Sequence, residues 1–135
     1  MAFPRSFPHF KPAEQAILER YIANGAPSGD WTCDYRLPVL EQHVPAHLQG
    51  SDRDAWIALH QKRIDALVET PTAVYIIEVK TRVTSTAVGQ LVVYKYLYKQ
   101  QTGDARPVEL VLLAGEDDAI LHAAIEAQGI TVLVV

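Results

Sequence analysis

With 135 residues, 49% of them hydrophobic and 21% charged, the chain has the profile of one compact soluble domain. A chain of this length can bury roughly two thirds of its unfolded surface, so it needs no metal or disulfide scaffold, and its one cysteine, Cys33, cannot form an internal disulfide. No apolar run approaches the ~20 residues of a membrane helix, and the opening MAFPRSFPHF is broken by prolines where a signal peptide is continuously apolar. A reducing cytoplasm, with no membrane partner, is therefore expected. The net charge of −4 argues against bulk electrostatic coating of nucleic acid, but the charge is unevenly spread. Residues 102–135 hold six acids against Arg106 alone, whereas between 60 and 100 Lys62, Arg63, Lys80, Arg82, Lys95 and Lys99 outnumber Asp65, Glu69 and Glu78. A locally positive face follows.

In chain order, residues 12–24 read as a helix, with Pro12 in its first turn, Ile17, Leu18, Tyr21 and Ile22 at helical spacing, and Asn24-Gly25 as a stop. Glu14 lies on the same side as Ile17 and Leu18 and so points toward the body of the domain. From Trp31 to Val39 large apolar residues alternate strictly, which predicts a strand with one buried face. Residues 40–50 look like a loop, after which Ser51 or Asp52 is expected to cap a short helix through Trp56 and Leu59. RIDALVE (63–69) and AVYIIEVK (73–80) are strand-like and separated by Thr70-Pro71-Thr72, a hairpin pattern. Thr84 or Ser85 is placed to cap a helix running to about Gln100, with Ala87, Leu91, Tyr94 and Tyr98 along one side, Lys95 and Lys99 on another, and Gly103 beyond its end. A continuous apolar strand at 107–114, a helix at 117–128 with Ile120, Leu121, Ala124 and Ile125 inward, and a last strand at 130–135 complete an α/β pattern whose final strands suit a buried parallel pair with a helical crossover.

The chemistry gathers in the hairpin. The two-residue period puts Glu78 and Lys80 on one face of a strand whose other residues are almost all apolar. Burying an acid and an amine there requires partners or a purpose. If Thr70 and Ala73 close a two-residue turn, the register sets Val68 opposite Tyr75, Leu67 opposite Ile76 and Asp65 opposite Glu78, with cross-strand Cβ atoms roughly 5 Å apart. Two carboxylates so placed repel unless a proton or a cation sits between them. Hard oxygen ligands without His or Cys favour Mg²⁺ or Mn²⁺. Lys80 would then orient a water or stabilise phosphorane charge; the structural alternative is a plain buried ion pair. Gln90 and Tyr94, four apart, are neighbours on one helix face, where an amide can bridge to the Glu78–Lys80 strand and a phenol can touch a phosphate; the alternative is that Tyr94 is plain core. Trp31 and Trp56 are expected in the core, with base-stacking platforms as the alternative.

Asp65, then Glu78-x-Lys80 on a hairpin, then a helix bearing GQLVVY (89–94), resembles the PD-(D/E)xK nuclease superfamily, in particular its RecB-like, Glu-x-Lys branch with a Gln-x-x-x-Tyr helix. Ile64 stands where the name-giving proline would be, and His43, His47 and His60 read as surface or turn histidines. The resemblance implies a restriction-endonuclease-like mixed sheet of core order α-β-β-β-α-β followed by an extra α-β. It implies Mg²⁺ or Mn²⁺ on Asp65, Glu78 and the Val79 carbonyl, with Glu14 as a further acid in some members, and Lys80 assisting the attacking water. It also implies hydrolysis of DNA phosphodiester bonds, guided by DNA shape, a free end or a partner protein, with a homodimer supplying two sites. Arg63, Arg82, Lys95 and Lys99 are the cations expected to face the nucleic acid. Two rivals are an inactive binding or assembly subunit of the same fold and an RNA-processing endonuclease.

Overall fold

The computed structural model describes residues 9–135; the reading of the proline-broken start concerns mostly residues 1–8, which lie outside them. The order is α1 (Pro12–Ala23), β1 (Asp30–Arg36), a 3₁₀ turn (Glu41–His43), α2 (Gly50–His60), β2 (Arg63–Glu69), β3 (Val74–Arg82), α3 (Thr86–Thr102), β4 (Val108–Glu116), α4 (Ala119–Glu126) and β5 (Ile130–Val134). The strands form one mixed sheet in sequential order, antiparallel from β1 to β3 and parallel from β3 to β5. None of the described helices is long and apolar enough to cross a membrane.

The central strand is β3, and its alternation decides the two cores. Val74 and Ile76 face α3 and α4 with Ala87, Leu91, Tyr98, Leu112 and Ile125, while Ile77 and Val79 face α1 with Ile17, Leu18, Tyr21 and Leu113. Burying each such aliphatic side chain contributes roughly 1.5–3 kcal/mol, which is why a strand covered on both faces reads as an unbroken apolar run. Two successive parallel crossovers of one hand, stepping in one direction, place α3 and α4 on the same face.

The hairpin closes as its residues predict. The Thr70 N–H donates to the Ala73 carbonyl at 2.9 Å, and the Thr70 hydroxyl accepts from the Ala73 N–H at 2.9 Å. Leu67 then pairs with Ile76 and Val68 with Tyr75. Arg106 clamps the turn from the start of β4, donating to the Thr70 carbonyl at 2.7 Å and to Glu69 at 2.9 Å.

Four expectations need correction. First, β1 does not keep one buried face and ends at Arg36, short of Val39. Asp34 sits at φ 53°, a left-handed conformation that Asp tolerates better than most residues. Across it the strand changes face: Trp31 packs edge-on against Tyr21 in the α1 core, and Tyr35 packs against Tyr98 in the α3 core. Second, α2 starts at Gly50 after Gln49, so Ser51 and Asp52 lie inside it and do not cap it. Third, α3 runs on to Thr102, ended by Gly103 at φ 64°, and Ser85 precedes it without a side-chain capping bond. Fourth, Asp118 caps α4 by accepting from the Ile120 and Leu121 N–H groups. That phase turns Ile120 (83% exposed) and Ala124 outward and leaves Leu121 and Ile125 against the sheet.

Gly29 lies against the hairpin end of β2, where an added Cβ would run into the Glu69 carbonyl. Gly29→Ala should therefore lower stability by ~1–3 kcal/mol, the usual penalty of forcing atoms into a packed contact; urea unfolding of the two proteins measures it.

Candidate functional site

The β2–β3 ladder runs from Glu69–Val74 to Ala66–Ile77 and stops there. Beyond it β3 continues alone on that side, paired only with β4 through Glu78–Leu112, Val79–Leu113 and Lys80–Ala114. A free backbone N–H in a buried strand demands an acceptor, and Asp65 supplies one: its Oδ2 accepts from the Val79 N–H at 2.9 Å. A carboxylate thus takes the place of a strand carbonyl at the point where the two strands part.

Glu78, the next residue on β3 after the ladder ends, is 4% exposed and the one buried charged residue among those described. Burial, then the hydrogen bond and charge of Asp65, push its pKa up to about 9, and Glu14 adds to the rise. Lys80 opposes it from 3.8 Å, too far for a charge-assisted hydrogen bond of ~2.7–2.9 Å, so burial and the neighbouring acids win. Glu78 Oε2 is buried without a hydrogen-bond partner. Two carboxyls converging in this way need a proton or a cation between them. Asp65 also reaches Cys33, whose thiol is held neutral, with its pKa pushed to about 11 by burial and then by the charges of Asp65 and Asp34.

From α3, Tyr94 approaches the pair. Burial and the charge of Glu78 raise its pKa, a hydrogen bond from Gln90 counters that, and Asp65 adds to the rise. Tyr94 is half-buried against the α3 core, so one residue both packs in that core and approaches the acid pair. Gln90 Oε1 is buried with no partner, a second acceptor near the same place that lacks a donor. The structure thus brings Asp65, Glu78, Val79, Lys80, Gln90 and Tyr94 together, with Glu14 adding charge from α1. Among the described residues, no group of three or more His, Cys, Asp or Glu side chains is arranged to hold a metal ion; the acids that converge here are Asp65 and Glu78.

The expected cations lie elsewhere. Arg63 reaches Asp34 at 3.8 Å and Arg36 reaches it at 3.9 Å, with His9 at 3.1 Å. Arg82 is exposed at the end of β3, in register with Glu116. Lys95 and Lys99 line a shallow depression of about 440 Å³ with Val92 and Tyr96 on α3, on the helix side turned away from Ala87, Leu91 and Tyr98. Sequence reasoning missed Asp34 as the acid that gathers two arginines and His9; the signal was an Asp inside an apolar alternation.

No protein-family model, no curated protein and no solved structure matches this chain.

Glu78→Gln removes the ionisable proton and keeps the shape. An acid whose folded pKa is raised lowers stability as pH climbs from the unfolded value of ~4.3 toward about 9, because the unfolded chain releases that proton first. In EDTA, the stability of Glu78→Gln relative to the parent should grow with pH across that window, at up to ~1.4 kcal/mol per pH unit. Denaturant unfolding at pH 5, 6.5 and 8 measures it; a difference that stays flat across these pH values would mean a Glu78 already ionised in the folded chain and paired with Lys80.

Proposed function

We propose that the chain is a metal-dependent nuclease of the restriction-endonuclease-like, PD-(D/E)xK type, hydrolysing DNA phosphodiester bonds in the cytoplasm. The observation that carries this reading is the buried, partnerless Glu78 Oε2 facing a second carboxyl, with an amine two residues further along the strand. An oxygen-only acid pair that calls for a positive charge fits a hard divalent cation, Mg²⁺ or Mn²⁺. The order α1, β1, α2, β2, β3, α3, β4, then α4 and β5, supports the same reading, with α2 as an insertion in the α-β-β-β-α-β core.

Asp65, Glu78 and the Val79 carbonyl would hold the cation. When bound, it would supply positive charge against a scissile phosphate. Asp65 is fixed for this by its bond to the Val79 N–H, so one of its oxygens is spent on geometry and the other remains for the ligand. Lys80, 29% exposed by its side chain, reaches from the buried pair toward solvent and can orient an attacking water or neutralise a phosphate oxygen. Water adds to phosphorus as the P–O bond to the leaving sugar breaks, and the leaving oxygen takes up a proton. Gln90 and Tyr94 brace the site from α3. Of the four cations expected to face the nucleic acid, Arg82, Lys95 and Lys99 remain for strand contacts, since Arg63 is shared with Asp34. A partner copy would provide a second site for the second strand.

The set of only two carboxylate side chains favours one rival, a binding or assembly subunit of the same fold without catalysis. Incubation with single-stranded, duplex, flapped and four-way DNA, and with RNA, in Mg²⁺ and Mn²⁺ decides between them. Glu78→Ala and Lys80→Ala should each slow cleavage at least ~10²-fold, the scale of a lost general acid–base or electrostatic group. Cleavage that survives both substitutions would refute the assigned roles, and cleavage of RNA alone would change the substrate.

A further inference from the structure

One pocket outside the acid pair is unassigned by everything above. It measures about 380 Å³, within the range of small-ligand sites. It lies between α2, the segment after β1 and the C-terminal half of α3. Trp56, expected in the core, belongs to neither core cluster; it is half-buried and stacks on His60 with ring centroids 4.0 Å apart and planes 17° from parallel. His60 is held in that stack by a 2.8 Å contact from Nδ1 to the Trp56 carbonyl. Tyr96, 63% exposed, contributes from α3.

Three observations bear on the occupant. In a chain of net charge −4, the lining residues include Lys62 and no acid, so the pocket suits an anionic ligand. Gln101 lines the wall and has an Oε1 with no hydrogen-bond partner; that oxygen is buried behind the wall, so it takes an N–H donor from the pocket once its side chain turns inward. The walls offer planar aromatic surface on which a flat ring can stack. A nucleotide combines the three: a phosphate, a ring, and an edge N–H, as the amino groups of adenine and cytosine provide. Position agrees. Lys62 precedes Asp65 by three residues, about 10 Å along an extended chain or roughly three nucleotide steps at the B-form rise, and Leu97 follows Tyr94 by about one helical turn.

We propose that this pocket receives one unpaired base of the nucleic-acid strand, extending the Trp56–His60 stack, with its edge N–H on Gln101 and its phosphate at Lys62. Because a paired base cannot enter, the pocket selects single-stranded or flapped substrate. The inference rests on the nucleic-acid reading of the acid pair but is tested apart from it.

The full chain carrying Glu78→Gln, in EDTA, is titrated with a short single-stranded oligonucleotide and with a blunt hairpin duplex, following the Trp56 indole and Gln101 amide resonances. The single strand should shift both, and the duplex should not. Trp56→Ala should weaken single-strand binding by roughly five- to a hundredfold, the range for a lost base–aromatic stack. The exposed Lys62→Ala, which leaves the interior untouched, should weaken it and flatten its salt dependence. Shifts at Trp56 and Gln101 in a protein that cuts nothing would uphold the pocket while the nuclease reading fails. Unmoved Trp56 and Gln101 resonances, in a protein whose parent cuts DNA, would overturn the pocket and leave that reading standing.

Discussion

The bond from the Val79 N–H to the Asp65 carboxylate, at the place where β2 and β3 separate, is the constraint on which the rest of the site depends. Up to Ala66–Ile77 the two strands satisfy each other by backbone pairing. One residue later a side chain does the same task, and in doing so brings an acid into the sheet beside Glu78. A backbone partner would have left that position neutral. A carboxyl leaves it polar, oriented and one short step from a second acid.

Burial turns that proximity into chemistry. Glu78 sits in a strand packed from both faces, so its charge is disfavoured by desolvation before any neighbour acts, and Asp65 adds to the same penalty. Lys80 lies close enough to be felt and too far to neutralise the pair. The outcome is an oxygen pair with a vacant demand for positive charge and an amine at its solvent edge. Stability alone would be better served by apolar residues here, since buried charged groups seldom repay their desolvation, and that imbalance is what sets the position apart from the rest of the sheet.

Much of this was readable in the residues because the signals were local. Thr70-Pro71-Thr72-Ala73 fixes a two-residue turn, a turn fixes a register, and the register places Asp65 and Glu78 together; each step spans only a few residues. The α3 pairing of Gln90 with Tyr94 follows from helical spacing for the same reason. What could not be read depends on conformations or contacts that alternation does not encode. Asp34 in the left-handed region reverses the face of β1, so that Trp31 and Tyr35 enter different cores despite their shared parity. The cap at Asp118 sets the phase of α4 and carries Ile120 into solvent. Arg63 turned to Asp34, and Trp56 left the core for an open stack with His60, because both contacts join segments distant in sequence or depend on how α2 is seated.

The most direct measurement of the central claim is calorimetric titration of the protein with Mn²⁺ at pH 7.5 in two buffers of different ionisation enthalpy, alongside Asp65→Asn. If the two carboxyls share a proton that a cation replaces, binding will be saturable, will release up to one proton per ion to the buffer, and will vanish in Asp65→Asn. Saturable binding with no proton release, or binding that survives Asp65→Asn, would contradict the convergence of Asp65 and Glu78 on a single ion.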